Sequence, residues 1–181
     1  MNNDILEIIV TEEQIKKRVE ELALRISNDY KDEELVLVSI LKGAVVFLAD
    51  IARCIKIPHT IDFMAVSSYK NTKSSGIVRL IMDLRDSPEN KNILIVEDII
   101  DTGLTMNYIS ENLKTRKPKS LKICSLLYKP AKKHINSNIK IDYLGFEIPD
   151  DFVVGYGMDY KEFYRNLPYI GVLKPEIYRR K

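Results

Sequence analysis

The side chains best suited to chemistry lie in one short segment, Glu97–Thr105, which reads Glu-Asp-Ile-Ile-Asp-Thr-Gly-Leu-Thr. The segment follows an apolar run, and the apolar residues after it recur at the spacing of a helix. Its backbone N–H groups from Asp101 onward would therefore point outward at a helix N-terminus. Such a terminus favours a phosphate, because its N–H groups are unsatisfied and the helix dipole is positive there. Gly103 would let the anion approach closely, and the hydroxyls of Thr102 and Thr105 would add donors.

The first two acidic residues of this segment, Glu97 and Asp98, need a partner of another kind. Carboxylates would repel a phosphate, so sugar hydroxyls or a divalent cation are their natural partners. Phosphate, sugar and metal together suggest a phosphorylated ribose. A structural alternative is that Asp101 only caps the helix and that Glu97 and Asp98 form a solvated strand end. Neither Gly-x-x-x-x-Gly-Lys nor Gly-x-Gly-x-x-Gly occurs in the sequence, so a P-loop or dinucleotide-binding protein loses its main support.

A buried strand and a helix are predicted to hold this segment in place. Asn92–Val96 is apolar and predicts a strand that ends at Glu97 and Asp98, while a helix begins at Gly103. Along the chain, strands alternate with helices, which predicts a mostly parallel α/β sheet. Ligands of such sheets bind beyond the carboxyl ends of the strands, where this segment lies.

The other elements follow from apolar periodicity and from turn residues. One predicted helix begins at the capping box Thr11-Glu12-Glu13-Gln14 and ends near Asn28. A second predicted helix covers Ala44–Ile55. Further predicted strands are Leu35–Leu41, Ile61–Ser68, Gly76–Leu84, Leu121–Tyr128, Ile141–Ile148, Phe152–Tyr156 and Tyr169–Leu173. The polar segment Tyr69–Ser75 is predicted to be a mobile loop.

Length, charge and cysteine content narrow the class of protein. The 181 residues predict one domain. The 28 Lys and Arg against 26 Asp and Glu leave a net charge of +2, so no bulk positive field favours nucleic acid or an anionic membrane. Cys54 and Cys124 are isolated in apolar stretches and predict buried free thiols. Met1–Asp4 lacks the pattern of a signal peptide and no apolar run approaches the roughly 18 residues of a membrane span, so we expect a cytoplasmic protein.

The stretch Ile95–Thr105 resembles the phosphoribosyl-pyrophosphate (PRPP) motif of type I phosphoribosyltransferases, in which two acidic residues and an Asp-Thr-Gly-x-Thr loop follow an apolar strand. Leu41-Lys42-Gly43, Ser68-Tyr69, Lys129 and Asp150–Tyr156 extend the likeness over nearly the whole chain, in particular to bacterial members that act on hypoxanthine and guanine. The resemblance implies an α/β fold with a mostly parallel twisted sheet flanked by helices. It also implies a single domain, residues 1–181, whose small hood is formed by the N-terminal segment with its helix and by roughly residues 140–181.

The resemblance implies transfer of the 5-phosphoribosyl group from PRPP to N9 of hypoxanthine or guanine, which yields IMP or GMP and pyrophosphate. By similarity, Glu97 and Asp98 bind the ribose hydroxyls. Asp101 acts as general base or acid at N7 of the purine. The residues implied to bind the 5′-phosphate are Asp101, Thr102, Gly103, Leu104 and Thr105. Some relatives have lysine in place of Leu104, but this position contributes mainly backbone.

The resemblance also assigns pyrophosphate, lid and metal residues. Lys42, Gly43 and Arg165 are implied to bind pyrophosphate, with a non-proline cis peptide before Lys42. Ser68 and Tyr69 correspond to a flexible lid that excludes water from the reacting centre. Mg²⁺ is the implied cofactor. Its implied residues are Asp159, as the direct protein ligand, together with Glu97 and Asp98.

The implied purine-binding residues are Lys129, Phe152, Val153 and Asp159. Lys129 donates to O6 of the base, which distinguishes 6-oxopurines from adenine, because adenine presents an amino donor there and would leave a buried ammonium unpaired. Phe152 stacks on the purine, and the Val153 backbone reads the base edge.

Other substrates and another class of function stay open at this point. The central motif does not choose between a 6-oxopurine and adenine, orotate, uracil or xanthine, although Lys129 with Phe152 and Val153 favours a 6-oxopurine and leaves xanthine possible. RNA-binding regulators of this fold also retain a PRPP site. The net charge of +2, the absence of Trp and the scatter of basic residues outside Arg179-Arg180-Lys181 disfavour that reading. The expected partners are PRPP and the bases hypoxanthine and guanine, with no nucleic acid or membrane, in a homodimer or homotetramer.

Overall fold

The computed structural model describes residues 1–71, 74–130 and 139–179. The first strand, β1 (Ile5–Val10), belongs to a small second sheet. The large sheet comprises β2 (Leu35–Leu41), β3 (His59–Asn71), β4 (Ser74–Met82), β5 (Asn92–Ile100), β6 (Ser120–Tyr128) and β7 (Tyr143–Glu147). The order of the large sheet within the described residues is β4-β3-β2-β5-β6-β7. Neighbouring strands are parallel except β3 and β4, which are antiparallel. The predicted α/β sheet is therefore confirmed.

Helices cover both faces of the large sheet. They are α1 (Glu12–Asp29), α2 (Val45–Cys54) and α3 (Leu104–Lys114). The short α4 (Pro175–Tyr178) packs against a separate buried cluster, and a 3-10 turn covers Asn2–Asp4. On β5, Leu94 and Val96 join the core formed with α1 and α2, whereas Ile93 and Ile95 join the core formed with α3. Because both faces of β5 are covered, the strand needs no polar alternation, which is why an unbroken apolar run predicts it. No helix in the described part of the chain is long and apolar enough to cross a membrane.

The first helix begins where the sequence predicts and packs on the large sheet. The Gln14 N–H donates to Thr11 Oγ1 at 3.3 Å and the Thr11 N–H donates to Gln14 Oε1 at 2.8 Å, which confirms the capping box. The apolar stripe of α1, which includes Val19, Leu22 and Ile26, is buried in the core of the large sheet and contacts α2 and β7. The same buried cluster also contains Val10 of β1, together with Ile170 and Val172 from near the C-terminus, so the assignment of this helix to the hood stays a prediction.

The hood is a small antiparallel sheet built from distant segments. Beside β1 it contains β8 (Val153–Val154) and β9 (Ile170–Leu173), in the order β1-β9-β8. No pattern predicted β1, which pairs with β9 over nearly its whole length. The N-terminal segment thus enters the hood as a strand, while β7 belongs to the large sheet. The assignment of residues 1–181 to a single domain stays a prediction.

The polar segment predicted to be a loop is largely part of a hairpin. β3 and β4 continue into it and remain paired as far as Asn71 and Ser74. Thr72 and Lys73 lie outside the described residues. The loop prediction is wrong for the rest of the segment, because pairing between the strands satisfies the backbone N–H and C=O groups whether or not the side chains are apolar.

Candidate active site

β5 carries the acidic segment to the edge of the large sheet. The strand was predicted to end at Glu97 and Asp98, and this prediction is wrong. β5 continues to Ile100, because it pairs with β6 as far as Tyr128. Gly103 then adopts a φ of 81° and leads into α3, as the sequence predicts.

A cavity of about 620 Å³ opens at this edge, between the carboxyl ends of β2, β5 and β6 and the hood. Predicted site residues that line it are Lys42, Gly43, Asp98, Asp101, Lys129, Phe152, Val153, Asp159 and Arg165. The location is the one expected for a mostly parallel sheet. Residues far apart in the sequence therefore meet around one volume, and its size suits a small-molecule ligand.

The loop after β2 is packed between the end of β5 and the hood. A Cβ atom on Gly43 would lie 1.9 Å from Asp98 Oδ2, and a Cβ atom on Gly157 would lie 2.1 Å from the Gly43 carbonyl oxygen. Asp98 cannot simply swing away, because it is buried and its Oδ1 accepts a hydrogen bond from the Ile99 N–H at 2.8 Å. The peptide between Leu41 and Lys42 is cis, as predicted.

Gly43→Ala is expected to cost about 1–3 kcal/mol of unfolding free energy, as overpacked cores do, and to abolish measurable PRPP binding. The added methyl group would force the Asp98 carboxylate and the loop apart, and both line the cavity. Denaturant unfolding and calorimetric titration with PRPP measure the two effects. Gly171→Ala, a close-packed glycine of β9 outside the cavity lining, is the control and should retain binding. Normal PRPP affinity in Gly43→Ala would contradict the prediction.

The two acidic side chains at the end of β5 lie in surroundings that disfavour charge. Glu97 Oε2 is buried and accepts no hydrogen bond within the described residues. Burial, followed by the neighbouring charge of Asp98, raises the pKa of Glu97 well above its ordinary value. Burial also raises the pKa of Asp98 to about 6, although its backbone hydrogen bonds and the charge of Arg165 oppose the shift. Such oxygens suit hydroxyl donors or a cation brought by a ligand.

Asp98→Asn is expected to stabilise the ligand-free protein at alkaline pH only. The pKa of Asp98 is raised from 3.8 to about 6 in the folded state, so its stability contribution is full below pH about 4 and is lost as the pH rises through about 6. This shift of the pKa corresponds to about 3 kcal/mol of unfolding free energy. Urea unfolding at pH about 4 and at pH about 8 measures the effect. The stability of the variant relative to the wild type should be higher at pH about 8 than at pH about 4. Asp86→Asn, an exposed control, should show no such change, and a pH-independent difference for Asp98→Asn would refute the assignment.

Two cations stand together in the cavity wall. Arg165 Nη2 lies 2.8 Å from Asp159 Oδ1, and its Nη1 donates to the Gly157 carbonyl oxygen at 2.7 Å. Glu162 Oε2 accepts hydrogen bonds from Lys42 Nζ at 3.0 Å and from Arg165 Nη2 at 3.4 Å. The hydrogen bond from Lys42 holds the pKa of Glu162 below its usual value. One carboxylate oxygen contacts both cations, so a single anionic group can reach both.

A buried lysine and a partly exposed aromatic ring form another part of the wall. Lys129, only 5% exposed, follows β6, and its Nζ donates to the Asp151 carbonyl oxygen at 2.7 Å and lies 3.9 Å from Asp150 Oδ1. Phe152 is 38% exposed and lines the same cavity. A buried donor near an open aromatic face suits a planar ligand with a polar edge.

Other predicted residues lie beside the cavity rather than in its lining. These are Glu97, Thr102, Gly103, Leu104 and Thr105. Thr102 Oγ1 accepts a hydrogen bond from the Leu104 N–H at 3.4 Å, at the start of α3. Ser68 and Tyr69 lie on β3, for which the structure describes the backbone at these positions. The roles of these residues stay predictions.

Sequence reasoning assigned no role to several residues of the site, among them Glu162, Met158 and Tyr178. Met158 and Tyr178 line the cavity, and Glu162 bridges its two cations. No periodic pattern marks them. Glu162 lies in an irregular segment with a φ of 69°, and Tyr178 ends a helix of four residues. Glu162 lies three residues from both Asp159 and Arg165, and this proximity in the sequence was the signal available for it.

The acidic residues do not by themselves enclose a metal ion. Among residues 1–71, 74–130 and 139–179, no group of three or more His, Cys, Asp or Glu side chains is placed to hold one. Asp98 and Asp159 both line the cavity. Mg²⁺ commonly takes one or two carboxylates and completes its shell with water and substrate phosphates. The donor set therefore fits a Mg²⁺ ion that arrives with a phosphorylated substrate.

Comparison with known proteins gives a consistent family. The phosphoribosyl transferase domain family matches residues 6–161. A hypoxanthine-guanine phosphoribosyltransferase of Bacillus subtilis (strain 168) is 51% identical over 179 residues, covering 98% of this chain and 98% of the relative. One of Mycobacterium tuberculosis (strain ATCC 25618 / H37Rv) is 49% identical over 183 residues, covering 97% of this chain and 90% of that protein. A crystal structure of a hypoxanthine phosphoribosyltransferase from Staphylococcus aureus has a TM-score of 0.93 at 49% identity, covering 98% of this chain and 96% of that one. The chain therefore belongs to the hypoxanthine-guanine phosphoribosyltransferase family.

Proposed function

We propose that the chain transfers the 5-phosphoribosyl group of PRPP to N9 of hypoxanthine or guanine in purine salvage, giving IMP or GMP and pyrophosphate. One observation carries the proposal. A single cavity is lined by cations, by carboxylates and by a buried lysine beside an open aromatic ring. These are the groups needed to bind pyrophosphate, ribose and a 6-oxopurine, respectively. The family to which the chain belongs supports the same reaction.

In the proposed complex, PRPP spans the cavity. Lys42 and Arg165 bind its pyrophosphate, and the contact of both with one oxygen of Glu162 supports this role. Glu97 and Asp98 accept hydrogen bonds from the ribose hydroxyls, which the buried acceptor Oε2 of Glu97 favours. The turn from Asp101 into α3 holds the 5′-phosphate. Fixing both ends of PRPP exposes C1 of the ribose to the base and lowers the entropy cost of the encounter.

In the proposed reaction, N9 of the purine forms a bond to C1 of the ribose as the bond from C1 to pyrophosphate breaks. The transition state resembles an oxocarbenium ion. Asp101, in the cavity wall, accepts or holds the proton at N7 of the base. A Mg²⁺ ion bound in the cavity would supply positive charge to balance that of the pyrophosphate. Asp159 would hold the ion, and the oxygens of PRPP and water would complete its shell.

The base is chosen by Lys129 and Phe152 in this proposal. Lys129 Nζ donates to O6, and the low exposure of Lys129 makes an unpaired contact with the adenine amino group costly. Phe152 stacks on the purine, and the backbone of Val153 faces the base edge. Xanthine is the closest competitor, because its O6 is the same as that of guanine.

We also propose a homodimer or homotetramer in the cytoplasm. The exposed apolar side chains Val45 and Phe163, 40% and 67% exposed, flank the contact between Lys42 and Glu162, which supports an interface near that loop. The free thiols of Cys54 and Cys124 favour a reducing compartment. Sedimentation equilibrium measures the number of subunits.

The test is incubation of the purified protein with PRPP, Mg²⁺ and each of hypoxanthine, guanine, xanthine, adenine, uracil and orotate, with nucleotide formation followed by absorbance. IMP and GMP should form only without a chelator. Nucleotide from adenine or a pyrimidine would overturn the base assignment. PRPP binding without product from any base would favour an RNA-binding regulator, for which a salt-dependent shift of RNA would be the positive result.

A further inference from the structure

A second aromatic ring covers one face of Phe152. Tyr178, the last residue of α4, stacks on Phe152 with ring centroids 4.8 Å apart and an interplanar angle of 20°. Tyr160 meets Phe152 edge to face at 5.7 Å and 90°. Phe152 is nevertheless 38% exposed in the cavity wall. Because Tyr178 covers one face, the surface that remains for a ligand is the opposite face and the ring edge.

Tyr178 is held in place by the hood and by the N-terminal segment. The Lys174 N–H, immediately before α4, donates to the Asp4 carbonyl oxygen at 2.9 Å. Ile177 and Tyr178 pack against the buried cluster of the hood. The guanidinium carbon of Arg179 lies over the Tyr178 ring, 5.7 Å from its centroid. The Tyr178 ring is therefore fixed from several sides and can act as a rigid support.

We propose that Tyr178 is a positioning residue for the purine, because it keeps the Phe152 ring in the orientation that a stacked base needs. The proposal rests on the proposed function, in which Phe152 stacks on the base. Without Tyr178, Phe152 would be free to change rotamer, and binding of the base would have to order it. With Tyr178, the Phe152 ring is ordered before the base binds. Tyr178 therefore increases the affinity for the base and does not change the rate of the bond-making step.

The experiment measures initial rates of Tyr178→Ala and Tyr178→Phe, with hypoxanthine varied at saturating PRPP and the reverse. Tyr178→Ala is expected to raise KM for hypoxanthine about 3- to 10-fold, the size of an aromatic pair, and to change kcat and KM for PRPP by less than about twofold. Tyr178→Phe keeps the ring and should restore the wild-type KM. Ile177→Ala is the matched control, because it removes an apolar side chain that packs on the same cluster while both aromatic side chains are retained.

Phe152→Ala, alone and combined with Tyr178→Ala, separates this proposal from the proposed function. If Tyr178 acts through Phe152, Tyr178→Ala adds no further rise in KM to Phe152→Ala. A raised KM in Phe152→Ala with a normal KM in Tyr178→Ala would overturn the proposal and leave the base site intact. A normal KM in Phe152→Ala would instead remove the stacking role assumed in the proposed function. Equal losses in Tyr178→Ala and Ile177→Ala, in kcat as well as KM, would show that α4 is only structural.

Discussion

Asp101→Asn is expected to lower kcat about 10²- to 10⁴-fold, the usual contribution of a general acid or base, while PRPP affinity changes little. Asn keeps the size of the side chain and can still make hydrogen bonds, but it cannot accept the N7 proton. Asp101 lines the cavity next to the turn into α3, so the backbone donors proposed for the 5′-phosphate should stay in place. Steady-state rates and calorimetric PRPP binding separate the two effects.

Asp86→Asn, an exposed change away from the cavity, controls for handling and should retain wild-type kcat. Equal losses of kcat and of PRPP affinity in Asp101→Asn would show that Asp101 only positions the substrate. A kcat near that of the wild type would remove it from catalysis altogether.

Lys129→Ala is expected to raise KM for hypoxanthine and guanine about 10- to 100-fold, because a charged donor in a buried site is lost. PRPP binding should not change, since the residues proposed to bind PRPP lie on β5, on the turn into α3 and on other segments than that of Lys129. The discrimination against adenine should also weaken, because no buried ammonium is then left facing its amino group. The measurements are KM for each base and the rate with adenine.

Lys129 also holds the segment before β8 through the Asp151 carbonyl oxygen, so thermal unfolding of Lys129→Ala must accompany the kinetics. Lys140→Ala, which removes a highly exposed lysine, is the control and should behave as the wild type. An unchanged KM for both bases in a folded Lys129→Ala protein would exclude Lys129 from base recognition.

Elements whose signals are local could be predicted from the sequence. The capping box located the start of α1, and the apolar runs located β2 and β5, because strands covered on both faces contain few polar residues. The acidic segment and Gly103 located the turn from β5 into α3, since strand, turn and helix are adjacent in the chain, while phosphate binding by this turn stays a prediction.

Elements that depend on distant partners were missed or wrongly placed. β1 pairs with β9 from the opposite end of the chain, and as an edge strand with exposed Leu6 and Ile8 it has no clear alternation. α1 has an apolar stripe that does not identify its partners, and only the packed structure shows that it lies against α2 and β7. The hairpin of β3 and β4 contains polar residues because its backbone bonds do not depend on side-chain type.

The amino-acid pattern alone was sufficient for the fold class, the order of the central elements and the acidic segment that leads into α3, because these features arise from neighbouring residues. The tertiary structure decided which remote groups meet at the cavity. It set Gly43 against Asp98, Glu162 between Lys42 and Arg165, and Tyr178 on Phe152. These contacts join segments that are separate in the chain, and no period or motif encodes them. Their geometry follows from packing within the large sheet, within the hood and between the two, and that packing is a property of the whole core.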